Sequence, residues 1–140
     1  MRIIGMDFGS VTLGISISDE TKTIANPVST IRYKTMDELL IKVDEIFSKY
    51  NIEEIVLGNP INLDGSISKR SEETFKFKSV LETRYNIPVI MEDERLTTVI
   101  AQNMLISNNT RREKRKDVVD KLASTIILQG YLDRRDKNGK

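Results

Sequence analysis

The chain has 140 residues, of which 39% are hydrophobic and 31% charged, as in one globular domain covering residues 1–140. It contains no cysteine and no histidine, which excludes disulfides, catalytic pairs that need either residue, and zinc sites built from them. The net charge of +1 conceals an asymmetry, since residues 1–100 carry 12 basic and 16 acidic side chains and residues 101–140 carry 10 and 5. A basic end of this kind indicates a surface that faces a polyanion.

No apolar run approaches the roughly 18 residues that a membrane helix needs. The opening run also reaches Asp7 too early for the core of a signal peptide. We therefore expect a cytoplasmic protein that does not enter a membrane. Only residues 136–140 are expected to fray.

Runs of apolar or alternating residues predict three strands first: residues 2–8, 12–18 and 24–31. Pro27 places the third strand at a sheet edge or at a bulge, because proline cannot donate a ladder hydrogen bond. Thr35 and Glu38 then form a capping box, and apolar residues recur at helical spacing from there up to Asn51. A helix is therefore predicted after the third strand.

The remainder of the chain alternates strands and helices. In order, the predicted elements are a strand at 55–57, a helix at 69–85, a strand at 88–91, a short helix from Thr97 or Thr98 through Ile106, a polar loop at 107–110 and a helix from Val118 to about Arg134. This order predicts a mixed α/β fold whose later strands extend the sheet in parallel through crossover helices. Sites in such folds lie at the carboxyl ends of the strands.

Asp7 lies in an apolar run that is typical of a central strand. A carboxylate there is costly to remove from water unless it is paired or bound to a cation. The alternative is an acid at a strand end whose charge is satisfied by loop amides, which is a common arrangement.

Glu92, Asp93 and Glu94 directly follow the apolar residues of the strand at 88–91. Three neighbouring carboxylates repel one another, so they are either solvated in a loop or gathered around a cation. If the strand continues, Glu92 and Glu94 share one side of it, and alternation alone does not choose between them.

Asp120 lies at the start of the final helix, on the border of an apolar stripe, whereas Asp117 points further toward solvent. The stripe comprises Val119, Leu122, Ala123, Ile126 and Ile127. An acid in a first turn can also simply complement the helix dipole. The border position would let Asp120 reach a site at the strand ends.

These acids come from three separate elements. Oxygen ligands without histidine or cysteine favour Mg²⁺ or Mn²⁺, the ions of phosphate chemistry. A basic run precedes Asp120, in what we predict to be a loop entering the site: Arg111, Arg112, Lys114, Arg115 and Lys116. Such a run would attract phosphates, although most charge runs are only solvated faces.

Four motifs occur in order along the chain. They are Asp7-Phe8-Gly9 with Leu13-Gly14 and Ser18-Asp19, Gly58-Asn59-Pro60 with Asp64-Gly65, Asp93-Glu94-Arg95-Leu96-Thr97-Thr98, and Val119-Asp120-Lys121-Leu122-Ala123 running to Ile127-Leu128-Gln129-Gly130-Tyr131-Leu132-Asp133. Together they resemble the YqgF/RuvX family, bacterial proteins similar to Holliday junction resolvases and linked to maturation of pre-16S ribosomal RNA. The chain departs from many relatives at Val11 or Thr12, where a basic residue is common, and at Asn59, where a bulkier apolar residue is common.

The resemblance implies an RNase H-like, or RuvC-like, α/β fold, with a central mixed five-stranded sheet flanked by helices on both faces. It maps the acids of the family onto Asp7, Glu94 and Asp120, and it prefers Glu94 over Glu92. The implied activity is hydrolysis of phosphodiester bonds in structured nucleic acid with two Mg²⁺ or Mn²⁺ ions, which Asp7 would bridge.

The implied role is maturation of the 5′ end of pre-16S rRNA, with structured RNA and a pre-ribosomal particle as partners. Arg95 and Lys116 would position backbone phosphates or offset charge in the transition state. The candidate nucleic-acid-binding residues are Arg70, Arg95, Arg111, Arg112, Lys114, Arg115 and Lys116.

Three other functions stay open. A resolvase of branched DNA would use two symmetry-related sites in a homodimer. A ribosome-maturation factor would bind nucleic acid without cleaving it. A nucleotide binder is the third, because Asp7-Phe8-Gly9-Ser10 followed by Gly14 resembles the first phosphate loop of sugar kinases and actin, which close two such domains around ATP.

Overall fold

The computed structural model describes residues 1–9, 11–60, 69–93 and 112–137, with the side chains of 93, 112–121, 136 and 137 outside that description. Its elements are the strands β1 (Arg2–Phe8), β2 (Thr12–Ser18), β3 (Ala25–Arg32), β4 (Ile52–Asn59) and β5 (Val89–Asp93) and the helices α1 (Met36–Lys49), α2 (Lys69–Tyr85) and α3 (Arg112–Lys137). The strands form one sheet in the order β3-β2-β1-β4-β5, so β1 lies at its centre.

The sheet is mixed. β1 pairs antiparallel with β2 and β2 with β3, whereas β1 with β4 and β4 with β5 are parallel pairs. Both predictions for Pro27 are confirmed: β3 is an edge strand, and its register shifts so that Val28 is an extra residue between Pro27 and Ser29.

Successive side chains of β1 point to opposite faces of the sheet. Ile4, Met6 and Phe8 enter the larger core, to which α1 contributes Leu39 and α2 contributes Phe77. The other face holds a smaller core under α3, made of Ile3, Ala25, Val56, Ile127, Leu128 and Leu132. Helices therefore flank both faces of the sheet, which confirms the expected architecture.

Local signals located α1 and α2 well. Thr35 caps α1, because its Oγ1 accepts a hydrogen bond from the Glu38 amide at 3.2 Å. Glu38 in turn accepts a hydrogen bond from the Lys34 amide at 3.3 Å, as in a capping box. α1 ends at Lys49 rather than at Asn51, and α2 has the predicted bounds.

Two strands are longer than their apolar runs. β4 extends from Ile52 to Asn59, because it lies between β1 and β5 and its pairing with both recruits polar residues such as Glu54. β5 continues through Glu92 to Asp93, two acids that the sequence analysis placed after the strand. Ladder partners on a neighbouring strand thus outweigh the low strand propensity of these acids.

The start of α3 corrects the sequence analysis. The helix begins at Arg112 rather than at Val118, so the basic residues from Arg112 through Lys116 are helical and do not lie in a loop. Arg, Lys and Glu are good helix formers, and no Gly or Pro interrupts this stretch, so the helix continues upstream of its apolar stripe. The buried residues of its second half are Ala123, Ser124, Ile127, Leu128 and Leu132. Leu122 and Ile126 of the predicted stripe are only half-buried.

α3 continues to Lys137, and thus includes two residues of the segment 136–140 that was expected to fray. The predicted short helix that ends at Ile106 and the predicted polar loop at 107–110 lie outside the described residues. In the described part of the chain, no helix is both long enough and apolar enough to cross a membrane.

Candidate active site

Asp7 is the second-last residue of β1, and it is half-buried. Alternation along the strand puts it on the same face as Ile3 and Gly5, which is the face that α3 covers. The acid therefore lies at the carboxyl end of the central strand, which is the position where the sequence analysis expected a site.

Each of the two strands beside β1 has a glycine at about the level of Asp7. Gly14 of β2 lies directly opposite Asp7 in the antiparallel ladder. On the other side, the ladder between β1 and β4 ends at Met6 and Leu57, and the next residue of β4 is Gly58. Glycine within a strand often marks a place where a ligand or another part of the backbone comes close, and both of these glycines are buried.

α3 packs closely against β1 at Gly5. A Cβ added to Gly5 would lie 2.5 Å from Ser16 Oγ, 2.8 Å from Leu128 Cβ and 3.1 Å from the Ser124 carbonyl oxygen. Ser16 Oγ also donates a hydrogen bond to that carbonyl oxygen at 2.8 Å. We call Gly5, Ser16, Ser124 and Leu128 the seam, because together they determine where α3 sits along β1.

The direction of α3 follows from Gln129. Its side chain accepts a hydrogen bond from the Ala25 amide at 2.8 Å and donates one to the Thr23 carbonyl oxygen at 2.9 Å. Ala25 is the first residue of β3, which runs in the same direction as β1. The second half of α3 therefore runs toward the amino end of β1, and its first half runs toward the carboxyl end.

Asp120 precedes Ser124 by one helical turn, which is about 6 Å along the helix axis. Asp7 lies two residues beyond Gly5, which is about 7 Å along the strand. Since the seam joins Ser124 to Gly5, the backbone brings Asp120 and Asp7 to about the same level of the sheet. The side chain of Asp120 is outside the description.

Glu92 already has a partner. It pairs in register with Gly58, and its carboxylate forms an ion pair with the Arg134 guanidinium of α3. Only 12% of the Glu92 side chain is exposed, so this arginine neutralises a largely buried charge. Glu94, which the resemblance prefers, lies outside the described residues.

The predicted nucleic-acid-binding residues fall into three groups. Arg70 lies in the first turn of α2, where its Nη2 donates a hydrogen bond to the Phe8 carbonyl oxygen at 3.1 Å. The first turns of α3 carry Arg112, Lys114, Arg115 and Lys116, and also Asp117. Arg95 and Arg111 lie outside the described residues.

Sequence reasoning missed the contacts that hold the turn after β1. Tyr33 Oη donates a hydrogen bond to the Gly9 carbonyl oxygen at 2.6 Å, and Arg70 binds the preceding carbonyl. Burial raises the pKa of Tyr33 above its ordinary value, and a tyrosine hydroxyl is protonated at neutral pH even without that shift. These contacts span 24 and 62 positions, so no local pattern could indicate them.

The donor chemistry at this end of the sheet suits a hard cation. Asp7 offers carboxylate oxygens beside two glycines, and the chain has no histidine or cysteine that would favour a softer metal. Among the side chains that the structure describes, no group of three acidic, His or Cys residues could hold a metal ion. Glu94 and Asp120 are not among those side chains, so the set of three ligands stays a prediction.

Known proteins match this chain over most of its length. A family model described as RuvX, Holliday junction resolvase, matches residues 1–134. A Bacillus subtilis (strain 168) protein named "Putative pre-16S rRNA nuclease" is 47% identical over 135 residues, which cover 95% of this chain and 98% of that protein. A Clostridium kluyveri protein of the same name is 43% identical over 137 residues, which cover 98% of this chain and 100% of that protein.

Solved structures match the fold. Thermus thermophilus RuvC in complex with a Holliday junction substrate matches with a TM-score of 0.59 at 14% identity, over 97% of this chain and 96% of that chain. The fowlpox virus Holliday junction resolvase matches with a TM-score of 0.56 at 15% identity, over 96% and 99% of the two chains. The expected RuvC-like, RNase H-like α/β fold is therefore confirmed.

Proposed function

We propose, on the premise that this chain belongs to the RuvX family of Holliday junction resolvases, that it is a nuclease hydrolysing phosphodiester bonds in structured nucleic acid. The observation that carries the proposal is the position of Asp7, half-buried at the carboxyl end of the central strand with Gly14 opposite it. The carboxyl ends of the strands are where sites lie in folds of this kind, so a half-buried carboxylate there is a reasonable candidate for a ligand of a cation.

The substrate that we propose is the precursor of 16S ribosomal RNA, cut during maturation of its 5′ end. Support comes from the two relatives described above, which carry this substrate in their names and align over nearly their full lengths. The protein would then act in the cytoplasm, with the pre-ribosomal particle as its partner.

Branched DNA is the second candidate substrate. The family description and the RuvC structure that contains a Holliday junction favour it. A junction has two strands to cut symmetrically, so this activity would need a homodimer with two active sites, whereas trimming of an RNA end needs one. The oligomeric state of the active protein therefore helps to separate the two substrates.

Asp7, Glu94 and Asp120 would hold Mg²⁺ or Mn²⁺, because carboxylate oxygens are the ligands that these ions prefer. Two such ions, when bound, activate a water molecule and stabilise the leaving oxygen of a phosphodiester. The seam supports the pairing of Asp7 with Asp120, because it docks α3 with the backbone of Asp120 at about the level of Asp7.

Substrate phosphates would bind the basic residues at the start of α3. The positions are Arg112, Lys114, Arg115 and Lys116, with Arg95 and Arg111 added from outside the described residues. These residues precede Asp120 on the same helix by about one to two turns, so their backbone lies near that of the proposed metal ligand. The amino end of the helix dipole adds to their attraction for phosphate.

Cleavage assays with matched variants test the proposal. Radiolabelled precursor 16S rRNA and a four-way DNA junction are each incubated with Mg²⁺, Mn²⁺ or a chelator. We expect cleavage only with a metal ion, and a loss of about a hundredfold or more in Asp7→Asn and Asp120→Asn. Asp37→Asn, which removes an exposed acid from the first turn of α1, should cut like the wild type.

Two results would contradict the proposal. If wild type, Asp7→Asn and Asp120→Asn cut alike, the activity comes from a contaminating nuclease. If none of them cuts either substrate while all of them bind RNA, the protein is a maturation factor that binds without cleaving.

A further inference from the structure

The turn between β1 and β2 begins after Phe8, one residue beyond Asp7. The ladder between β1 and β4 ends at Met6 and Leu57, so β4 no longer holds the backbone of β1 from Asp7 onward. The Gly9 amide donates a hydrogen bond to the Thr12 carbonyl oxygen at 2.8 Å, which closes the turn on the β2 side. β2 still pairs with Asp7 and Phe8, but the carbonyl oxygens of Phe8 and Gly9 take their partners from outside the sheet.

Arg70 supplies the first of these partners. Its guanidinium reaches from the first turn of α2 and donates a hydrogen bond to the Phe8 carbonyl oxygen at 3.1 Å. A charged donor makes a stronger hydrogen bond than a neutral one. The carbonyl that it holds is one residue after Asp7.

Tyr33 supplies the second partner. Its hydroxyl donates to the Gly9 carbonyl oxygen at 2.6 Å, and its amide donates to the Val11 carbonyl oxygen at 3.0 Å. Its ring is nearly parallel to that of Phe8, at 6.2 Å between centroids, and Phe8 stacks in turn on Phe77 at 4.4 Å. The residue between Asp7 and the turn is thus held by its side chain as well as by its carbonyl.

We propose that Arg70 and Tyr33 are positioning residues for Asp7, holding the Phe8 and Gly9 carbonyls so that the carboxylate is pre-aligned for a divalent cation. The inference rests on the proposed function, since it supposes that Asp7 binds Mg²⁺ or Mn²⁺. Neither residue touches the cation or the substrate in this role. Both act through the backbone, where a small rotation at Phe8 would redirect the neighbouring side chain.

The alternative role for Arg70 is the one predicted from the sequence, a contact with substrate phosphates. Its exposure to solvent is compatible with that role. The two roles differ in what they change. A phosphate contact contributes to nucleic-acid binding whether or not metal is present, whereas a positioning contact contributes to metal affinity without nucleic acid. Metal binding by the protein alone therefore separates them.

The test measures the Mn²⁺ dissociation constant of the full chain from the paramagnetic resonance of free Mn²⁺. Tyr33→Phe removes only the hydroxyl, Arg70→Met removes the charged donor, and Arg70→Lys restores a charged donor. We expect Tyr33→Phe and Arg70→Met to raise the dissociation constant about three- to tenfold, with Arg70→Lys closer to wild type. RNA binding in chelator should stay within about twofold of wild type, because in this role neither side chain contacts a phosphate.

Matched controls come from the other end of α2, where Arg84 and Tyr85 bind Asp44 of α1. Arg84→Met and Tyr85→Phe remove the same groups and also lower the melting temperature. They should leave the Mn²⁺ dissociation constant unchanged, which separates positioning from a general loss of stability.

The possible failures are distinguishable. If Asp7→Asn loses Mn²⁺ binding while Tyr33→Phe and Arg70→Met keep it, the positioning role is overturned and the proposed metal site stands. If Arg70→Met weakens only RNA binding in chelator, Arg70 is a phosphate contact and the inference is overturned for that residue. If Asp7→Asn binds Mn²⁺ as the wild type does, the proposed metal site itself is wrong.

Discussion

The two faces of β1 contribute different things to the protein. On one face Ile4, Met6 and Phe8 pack into the large core beneath α1 and α2. On the other face, the strand goes from the buried Ile3 to the seam glycine at Gly5 and then to the half-buried Asp7. One strand can thus carry a half-buried carboxylate because its opposite face supplies the apolar burial that stabilises the sheet.

Removing an aromatic ring from the large core should have the largest effect on stability. Phe77 is 1% exposed and stacks on Phe8, so Phe77→Ala should lower the free energy of unfolding by about 3–5 kcal/mol in urea titrations. Phe75→Ala, on the same helix but 42% exposed, should change it by less than about 0.5 kcal/mol. Equal losses of stability in the two variants would show that burial of Phe77 in the large core does not contribute to stability.

Adding a methyl group to the close contact at the seam should have an intermediate effect on stability. In Gly5→Ala the new methyl group would crowd Ser16 Oγ and Leu128 Cβ, at a cost of about 1–3 kcal/mol. Because α3 must move to relieve this contact, the variant should also lose cleavage activity at temperatures where it stays folded.

Gly130→Ala provides the control for that variant. A Cβ at Gly130 meets nothing within 4 Å, and this helix interior should gain about 1 kcal/mol from alanine. Melting curves and cleavage rates of both variants check the prediction. A Gly5→Ala protein with wild-type activity would show that the spacing between α3 and β1 is unimportant to the site.

A smaller loss is expected from the seam hydrogen bond. Ser16→Ala removes the buried donor to the Ser124 carbonyl oxygen, which should cost about 1 kcal/mol in urea unfolding. Ser48→Ala removes an exposed hydroxyl that bonds within α1, and should change stability by less than about 0.5 kcal/mol. If the two substitutions change stability by the same small amount, close packing rather than this hydrogen bond holds α3 against β1.

The smallest expected effect is on stability at low pH, and it comes from the contacts that Asp44 of α1 makes with the end of α2. Hydrogen bonds from Arg84 and Tyr85 lower the pKa of Asp44 from 3.8 to about 2. The folded-state pKa lies below the unfolded one, so this contribution is complete above about pH 4 and is lost as the pH falls toward 2. Because the pair is exposed to solvent, the contribution should be no more than about 1 kcal/mol.

Urea unfolding at several pH values between about 5 and 2 measures this contribution. Asp44→Asn should have a flatter dependence of stability on pH across that interval than the wild type. Asp37→Asn, which changes an exposed acid of the same helix, should retain the wild-type slope. A wild-type slope in Asp44→Asn would place the acid sensitivity elsewhere.

Features that depend only on residues close together in the sequence could be predicted. The bounds of α2 and the cap of α1 at Thr35 need only helical periodicity and a capping box, and both were predicted. The extra length of β4 and the early start of α3 at Arg112 were not predicted. The sequence prediction relied mainly on the pattern of apolar residues, and these parts of the two elements are polar. Strand pairing and helix propensity decided those boundaries.

The candidate site divides in the same way. Asp7 could be chosen as a candidate from the sequence, because a carboxylate within an apolar run is costly to bury unless it is paired or bound to a cation. The packing of Gly5 against α3 and the contacts of Tyr33 and Arg70 could not, because they join parts of the chain that only the folded sheet brings together. The ion pair between Glu92 and Arg134 belongs to this second group.

The irregular edge of the sheet at β3 affects how copies of the protein can meet. Pro27 offers no amide hydrogen, and the extra residue Val28 interrupts the regular alternation of donors and acceptors along the strand. A second chain therefore cannot readily continue the sheet in register beyond β3, which makes aggregation through this edge unfavourable. Two copies that cooperated on a four-way junction would therefore not join edge to edge through β3.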